Sequence, residues 1–273
     1  MLLLCTDLDR TLLPNGVQPE SPGARERFAK LVNGNEVVLA YVTGRHLELV
    51  QRAISDYRLP LPDYVISDVG TRIYHRSAHG WQPDTAWETE IDEDWHGLGF
   101  RQLHALFADL KALRLQGADR QNSHKLSYFV PLHTDVEGLL HTMQQRLAAE
   151  SLHAELIWSV DEPAGVGLLD VVPLSATKLH AVEFLRRKLG LSYADCLFAG
   201  DSGNDMPVLA SAVPAVLVAN ASDTVRNAAL GAARALGHED CLYLARGHAL
   251  GMNGNYSAGI LEGVSYFHPD FVS

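Results

Sequence analysis

Residues 2–11 read Leu2-Leu3-Leu4-Cys5-Thr6-Asp7-Leu8-Asp9-Arg10-Thr11, an apolar run that passes directly into a pair of acids. Four consecutive apolar side chains leave no polar face, so as a strand this run needs cover on both sides. That is the pattern of a parallel sheet held between helices. The strand period of two puts Asp7 and Asp9 on one side if the strand continues through both, at the carboxyl end where an open α/β sheet forms its binding crevice. Two neighbouring carboxylates repel, so a cation or a proton-transfer role is their natural use. A solvated turn with a helix cap uses the same residue types.

Working outward, runs of similar character occur at 36–42, 64–67, 196–199, 215–218 and 241–244. Between them, 24–32, 46–56, 177–189, 205–212 and 224–235 carry apolar residues at helical spacing. Both ends of the chain therefore contribute to one α/β layer. The middle breaks this alternation. There, 72–74 and 81–82 read as a hairpin around Gly80, 100–113 as a helix, 125–130 as a strand, 136–149 as a helix, and 154–160 and 167–172 as two further strands. The fold class is α/β, a Rossmann-like parallel-sheet core (1–79 and 174–273) with an inserted α+β domain (80–173).

The 273 residues, 47% hydrophobic and 20% charged, can fill one large core or two modest ones. Twenty-two basic against 33 acidic residues give a net charge of −11, which repels polyanions and argues against a nucleic-acid partner. Cys5, Cys196 and Cys241 lie far apart, with neither CxxC nor HExxH spacing, so a zinc site is not expected and a reducing, cytoplasmic setting fits. The thirteen His residues are scattered and read as surface groups. No apolar stretch approaches the ~20 residues of a bilayer span. Residues 2–5 have no basic segment before them, so neither a membrane partner nor a targeting segment is expected.

Three more strand ends carry chemistry. Thr43-Gly44-Arg45 precedes a helix and combines a hydroxyl, a close backbone approach and free helix N–H groups, which suit an anion such as phosphate; an ordinary strand-to-helix turn reads the same way. Gly200-Asp201-Ser202-Gly203-Asn204-Asp205 can aim oxygen ligands at a hard cation such as Mg²⁺, or can be a turn before a capped helix. Lys178 opens a helix, where the dipole disfavours a cation, and so hints at an anionic neighbour.

The order DxDxT, TGR, Lys, GDSGND resembles the haloacid dehalogenase superfamily of phosphotransferases, with 80–173 as its β-rich cap. The similarity is closer still to the sucrose-phosphate phosphatase branch, through residues 7–9, 40–45, 63–71, 125–128, 200–205 and 257–262. Arg10 and Phe129 depart from it, standing where relatives commonly carry Gly or Asn and, after the Ser-Tyr pair, His. The resemblance implies that Asp7 is the nucleophile, forming an aspartyl-phosphate, and that Asp9 is the acid and base. Mg²⁺ would be held by Asp7, the Asp9 carbonyl and Asp201, with Asp205 either binding it directly or standing behind these ligands. Thr43, Gly44, Lys178 and Asn204 would hold the phosphoryl group, Arg45 would extend that contact or brace the loop, and Thr43 and Lys178 count with the catalytic residues. Lys125, Tyr128 and Asp170 in the cap are the candidates for sugar recognition. The implied partner is a small-molecule sugar phosphate, most simply sucrose 6-phosphate, with another glycosyl phosphate such as mannosylfructose phosphate as the alternative. A phosphosugar mutase and a phosphoacceptor signalling module also use such groups, but a signalling module needs neither Asp9 nor a cap. Whether the chain works beside a sugar-phosphate synthase stays open.

Overall fold

The computed structural model describes residues 1–34 and 36–272; Ser273, the last residue of the expected second core segment, lies outside them. In chain order the elements are β1 (Leu2–Thr6), α1 (Ala24–Val32), β2 (Val37–Val42), α2 (Leu47–Tyr57), β3 (Tyr64–Ser67), β4 (Arg72–Ser77) and β5 (Gly80–Pro83). Then follow α3 (Thr85–Asp92), α4 (Phe100–Ala105), β6 (Arg114–Leu115), β7 (Leu126–Val130), α5 (Val136–Ala149), β8 (Ala154–Asp161) and β9 (Val166–Pro173). The chain closes with α6 (Lys178–Lys188), β10 (Cys196–Gly200), α7 (Met206–Leu209), β11 (Ala215–Leu217), α8 (Asp223–Ala235), β12 (Leu242–Leu244) and α9 (Ser257–Phe267). Two units result, Met1–Pro83 with Lys178–Ser273, and Asp84–Thr177.

The first unit is an eight-stranded sheet in the order β12-β11-β10-β1-β2-β3-β4-β5, parallel from β12 through β3. β1 lies between β10 and β2, and every one of its residues is buried, as its unbroken apolar run requires. β4 and β5 add antiparallel strands at one edge. This pairing keeps the expected hairpin in the core sheet and moves both domain junctions four residues beyond 79 and 173, to 83 and 177. α9 is buried from Ser257 through Val264 and packs its small residues against β11. A Cβ on Gly259 would meet Val218 Cγ1 at 2.9 Å, and one on Gly263 would meet Val216 Cβ at 2.6 Å, so only hydrogen lets this helix lie so close to the strands.

The second unit carries a four-stranded antiparallel sheet, β6-β7-β9-β8. Alternation sends Leu126, Tyr128 and Val130 of β7, with Leu169 and Val171 of β9, into a hydrophobic cluster with Met143 and Leu147 of α5. The helix expected over 100–113 ends at Ala105. Beyond it Phe107, Leu110 and Leu113 each donate an N–H to the carbonyl three residues back, a run of tight turns. Apolar residues spaced by three satisfy such turns as well as a helix.

Candidate active site

β1 ends at Thr6, and the Asp7 N–H donates to the Ala199 carbonyl of β10 at 2.9 Å. The two acids therefore do not share a strand face. Asp7 turns inward, its side chain 8% exposed, and its Oδ1 accepts from Lys178 Nζ at 3.0 Å. Asp9 remains 42% exposed, and its two oxygens are gripped by Arg45, with Nε to Oδ2 at 2.7 Å and Nη2 to Oδ1 at 2.6 Å. Asn15 Nδ2 donates to the same Oδ1 at 2.7 Å.

Lys178 explains its unfavourable place at a helix start by what it faces. Its Nζ also donates to Asp205 Oδ1 at 2.8 Å. Asp205 is fully buried, and its Oδ2 accepts from the Asp201 N–H at 3.1 Å, the Ser202 N–H at 3.1 Å and Ser202 Oγ at 3.2 Å. Oδ2 is thereby saturated, and any free lone pair of this carboxylate lies on Oδ1. A Cβ on Gly200 would sit 2.7 Å from Asp205 Cβ, which is why the strand ends in glycine there. Asp201 Oδ1 accepts from Thr11 Oγ1 at 3.3 Å, and Arg10 Nε lies 3.5 Å from Asp201 Oδ2.

Asp7, Asp201 and Asp205 offer carboxylate oxygens all within 4.8 Å of one another. Burial is the largest cause that pushes Asp7 up to about 7; Lys178 opposes it, and Asp205 and Asp201 add to it. Burial and then Asp205 push Asp201 up to about 6. Lys178 stays charged because Asp7 and Asp205 outweigh the burial that works against its ammonium. At Asp9 burial also opposes charge, but Arg45 and Asn15 prevail and hold its pKa below the usual carboxylate range. Three buried hard-oxygen donors whose mutual repulsion one lysine does not cancel fit a divalent cation such as Mg²⁺.

Thr43 is buried at the end of β2, and its Oγ1 accepts the Arg45 N–H at 3.2 Å. The carbonyls of Thr43 and Arg45 accept the N–H groups of Val69 and Asp68, two consecutive left-handed residues with φ of 62° and 51°. Val69 is β-branched and strained in that region, so the turn is fixed by its contacts with the Thr43 loop. Gly44 and Asn204 are exposed. Arg10 also has a positive φ, 60°, the conformation for which Gly or Asn is better suited. Asn220 holds it there: its Nδ2 donates to the Arg10 carbonyl at 2.6 Å while its Oδ1 accepts the Tyr256 N–H at 2.9 Å. Asn15 and Asn220 are site-building residues that the motif reading does not single out, and Thr11, the last residue of DxDxT, takes there a contact with Asp201 that the motif alone does not assign. Asn220 stands 210 residues from its partner, beyond the reach of any local pattern.

In the inserted unit, Lys125 Nζ lies 3.3 Å from Asp170 Oδ2, both on the sheet side opposite the hydrophobic cluster. Tyr128 is a correction. It is 1% exposed within that cluster, and its hydroxyl meets His104 Nδ1 at 2.8 Å, so its ring is a core ring and offers no face to a sugar. Strand alternation separates it from Ser127 and Asp170, which pair across β7 and β9.

An acid furnished with its own ammonium, where a parallel sheet opens, is suited to receive a phosphoryl group, and the chain is a phosphoric monoester hydrolase of the haloacid dehalogenase-like fold. Residues 1–268 match the sucrose-6F-phosphate phosphohydrolase family, and the chain belongs to that family. A protein of Nitrosococcus oceani named as a HAD-like hydrolase is 51% identical over 98% of this chain and 72% of its own length. The mannosylfructose-phosphate phosphatase of Agrobacterium fabrum is 27% identical over 80% of this chain and 83% of its own. Among solved structures, the sucrose-phosphatase of Synechocystis in complex with sucrose and phosphate is 25% identical with a TM-score of 0.69, covering 100% of this chain and 99% of that one. Among the described residues no helix is long and apolar enough to cross a membrane.

Proposed function

We propose that this chain is a Mg²⁺-dependent sugar phosphatase that hydrolyses sucrose 6-phosphate through an aspartyl-phosphate on Asp7. The observation that carries this reading is the buried Asp7–Lys178–Asp205 array beside Asp201 at the ends of β1 and β10. The family match and the likeness to the Synechocystis sucrose-phosphatase support the choice of sugar.

Asp7, Asp201, Asp205 through Oδ1, and the Asp9 carbonyl would hold the cation. When bound, Mg²⁺ supplies positive charge that offsets the repulsion between a carboxylate and a dianionic phosphoryl group. In the first half-reaction an Asp7 oxygen bonds to phosphorus as the bond from phosphorus to the sugar oxygen breaks. The electron pair leaves on that oxygen, which takes a proton from Asp9; because Arg45 and Asn15 hold Asp9 ionised in the free chain, that proton is one Asp9 has first accepted from the incoming monoester. Lys178, Thr43 through its hydroxyl proton, Gly44 N–H and Asn204 hold the phosphoryl oxygens as their charge shifts. In the second half-reaction Asp9, now a base, takes a proton from water as the water oxygen bonds to phosphorus. The Asp7–phosphorus bond breaks, freeing inorganic phosphate. Lys125 and Asp170, which form one polar pair on the cap sheet, are the candidates for sugar hydroxyls. The three free thiols, Cys5, Cys196 and Cys241, support a cytoplasmic setting.

The test is phosphate release, with and without Mg²⁺, from sucrose 6-phosphate, mannosylfructose phosphate, glucose 6-phosphate and fructose 6-phosphate. A Mg²⁺-dependent preference for sucrose 6-phosphate of tenfold or more is expected. Preference for mannosylfructose phosphate would move the chain to the activity named for its Agrobacterium relative, and release of an isomerised sugar phosphate in place of inorganic phosphate would refute the hydrolytic reading.

A further inference from the structure

The guanidinium of Arg45 points away from the role that its place in Thr43-Gly44-Arg45 suggests. Its Nε and Nη2 meet the two oxygens of Asp9 in a fork, at 2.7 and 2.6 Å. Paired contacts of this kind fix orientation as well as charge. Asn15 closes the arrangement, with Nδ2 on Asp9 Oδ1 at 2.7 Å and Oδ1 on the Arg10 N–H at 2.8 Å. Arg45 is anchored in turn, since its N–H donates to Thr43 Oγ1 and its carbonyl accepts the Asp68 N–H at 3.1 Å.

Asp9 needs such a hold. It lies beyond the end of β1, is 42% exposed, and precedes the left-handed Arg10, so strand geometry does not fix the direction of its carboxylate. A group that must present a proton to one oxygen and later take one from water loses rate when it samples several rotamers. We infer that Arg45 is the positioning residue for Asp9, aiming the carboxylate that serves the leaving group, and that it is not a ligand of the phosphoryl group. The inference rests on the reading of Asp9 as acid and base. It assigns Arg45 to the leaving-group side of the reaction and leaves the phosphoryl oxygens to Lys178, Thr43, Gly44 and Asn204.

The experiment compares kcat/KM on sucrose 6-phosphate with that on p-nitrophenyl phosphate for wild type, Arg45→Ala, Arg45→Lys and Asp9→Asn, together with the inhibition constant of inorganic phosphate. A sugar oxygen leaves as an alkoxide and needs a proton, whereas nitrophenolate leaves without one. Arg45→Ala is expected to lose at least tenfold more on the sugar ester than on the nitrophenyl ester, with phosphate inhibition within threefold of wild type. Arg45→Lys, with a point charge in place of the fork, is expected to fall between the two. Equal losses on both esters, or phosphate inhibition weakened tenfold or more, would overturn the inference and return Arg45 to phosphoryl binding or to a merely structural role. Asp9→Asn separates the two levels. If it shows the ester split and Arg45→Ala does not, the positioning role fails alone; if Asp9→Asn shows no split, the acid-base reading fails and the inference falls with it. Unaltered phosphate inhibition also certifies that the variants are folded.

Discussion

Replacing Asp205 by Asn keeps the shape of the side chain and removes its charge, which isolates what the buried anion does. Oδ1 faces Lys178 Nζ at 2.8 Å, while Oδ2 faces two backbone N–H groups at 3.1 Å and Ser202 Oγ at 3.2 Å. Every one of these neighbours is a donor. An asparagine has one oxygen and one NH₂, so in either orientation an N–H meets another donor and a favourable contact becomes a repulsive one. Both Asp205 and Lys178 are buried, so water screens little of this. Lys178 keeps Asp7 at 3.0 Å, and Asp7 and Asp201 are freed of a repelling charge, so the cost is that of a buried donor left facing a donor, about 1–3 kcal/mol. For a unit of this size, roughly 2–4 °C per kcal/mol puts the fall in Tm at roughly 2–12 °C. The assay is calorimetry with divalent cations chelated, so that lost metal binding does not enter. Faster hydrogen exchange at the Asp201 and Ser202 amides would show that the NH₂ has turned toward the backbone. A Tm within about 1 °C of wild type would refute the view of Asp205 as the anion that fixes the loop and Lys178 together.

Saturating Mg²⁺ should raise the Tm of the wild-type chain. At a hundred times the dissociation constant the gain is about 2.7 kcal/mol, and calorimetry of Asp201→Asn should show most of it gone. Tyr128→Phe should cost about 1 kcal/mol in urea denaturation through loss of the contact with His104, while KM for the sugar phosphate stays within twofold. Lys125→Ala should raise KM for the cognate sugar phosphate about tenfold or more and leave p-nitrophenyl phosphate nearly unaffected; equal losses in a steady-state comparison would mean that the cap has misfolded.

What could be read from the residues alone follows how local each signal is. Leu2–Thr6, Ala24–Val32, Tyr64–Ser67 and Val136–Ala149 form with the bounds their spacing predicts, because each buries a face that its own period defines. Asp7, Lys178, Asp201 and Asp205 assemble because strand ends on one edge of a parallel sheet converge. Residues 85–92 carry Trp87 and Ile91 one helical turn apart behind a capping Asp84, a short signal that stays hidden in a charged stretch. Asn220 and the fork of Arg45 on Asp9 depend on how distant turns meet, and no spacing encodes that. Tyr128 shows the opposite error, in which a polar tip on a core ring imitates a binding residue.

The place of β1 in the sheet also shapes how the chain comes into being. One edge of β1 pairs with β2 within the first 42 residues, but the other pairs with Cys196–Ala199. At ribosomal speeds of roughly 5–20 residues per second, the whole inserted unit is made before that partner emerges, a wait on the order of ten seconds. During that interval a strand with four apolar residues in a row offers unpaired backbone groups along one side, the condition that favours pairing between separate chains. Nascent-chain yield should therefore be most sensitive to substitutions that delay folding of the insertion, even though none of them touches the sheet.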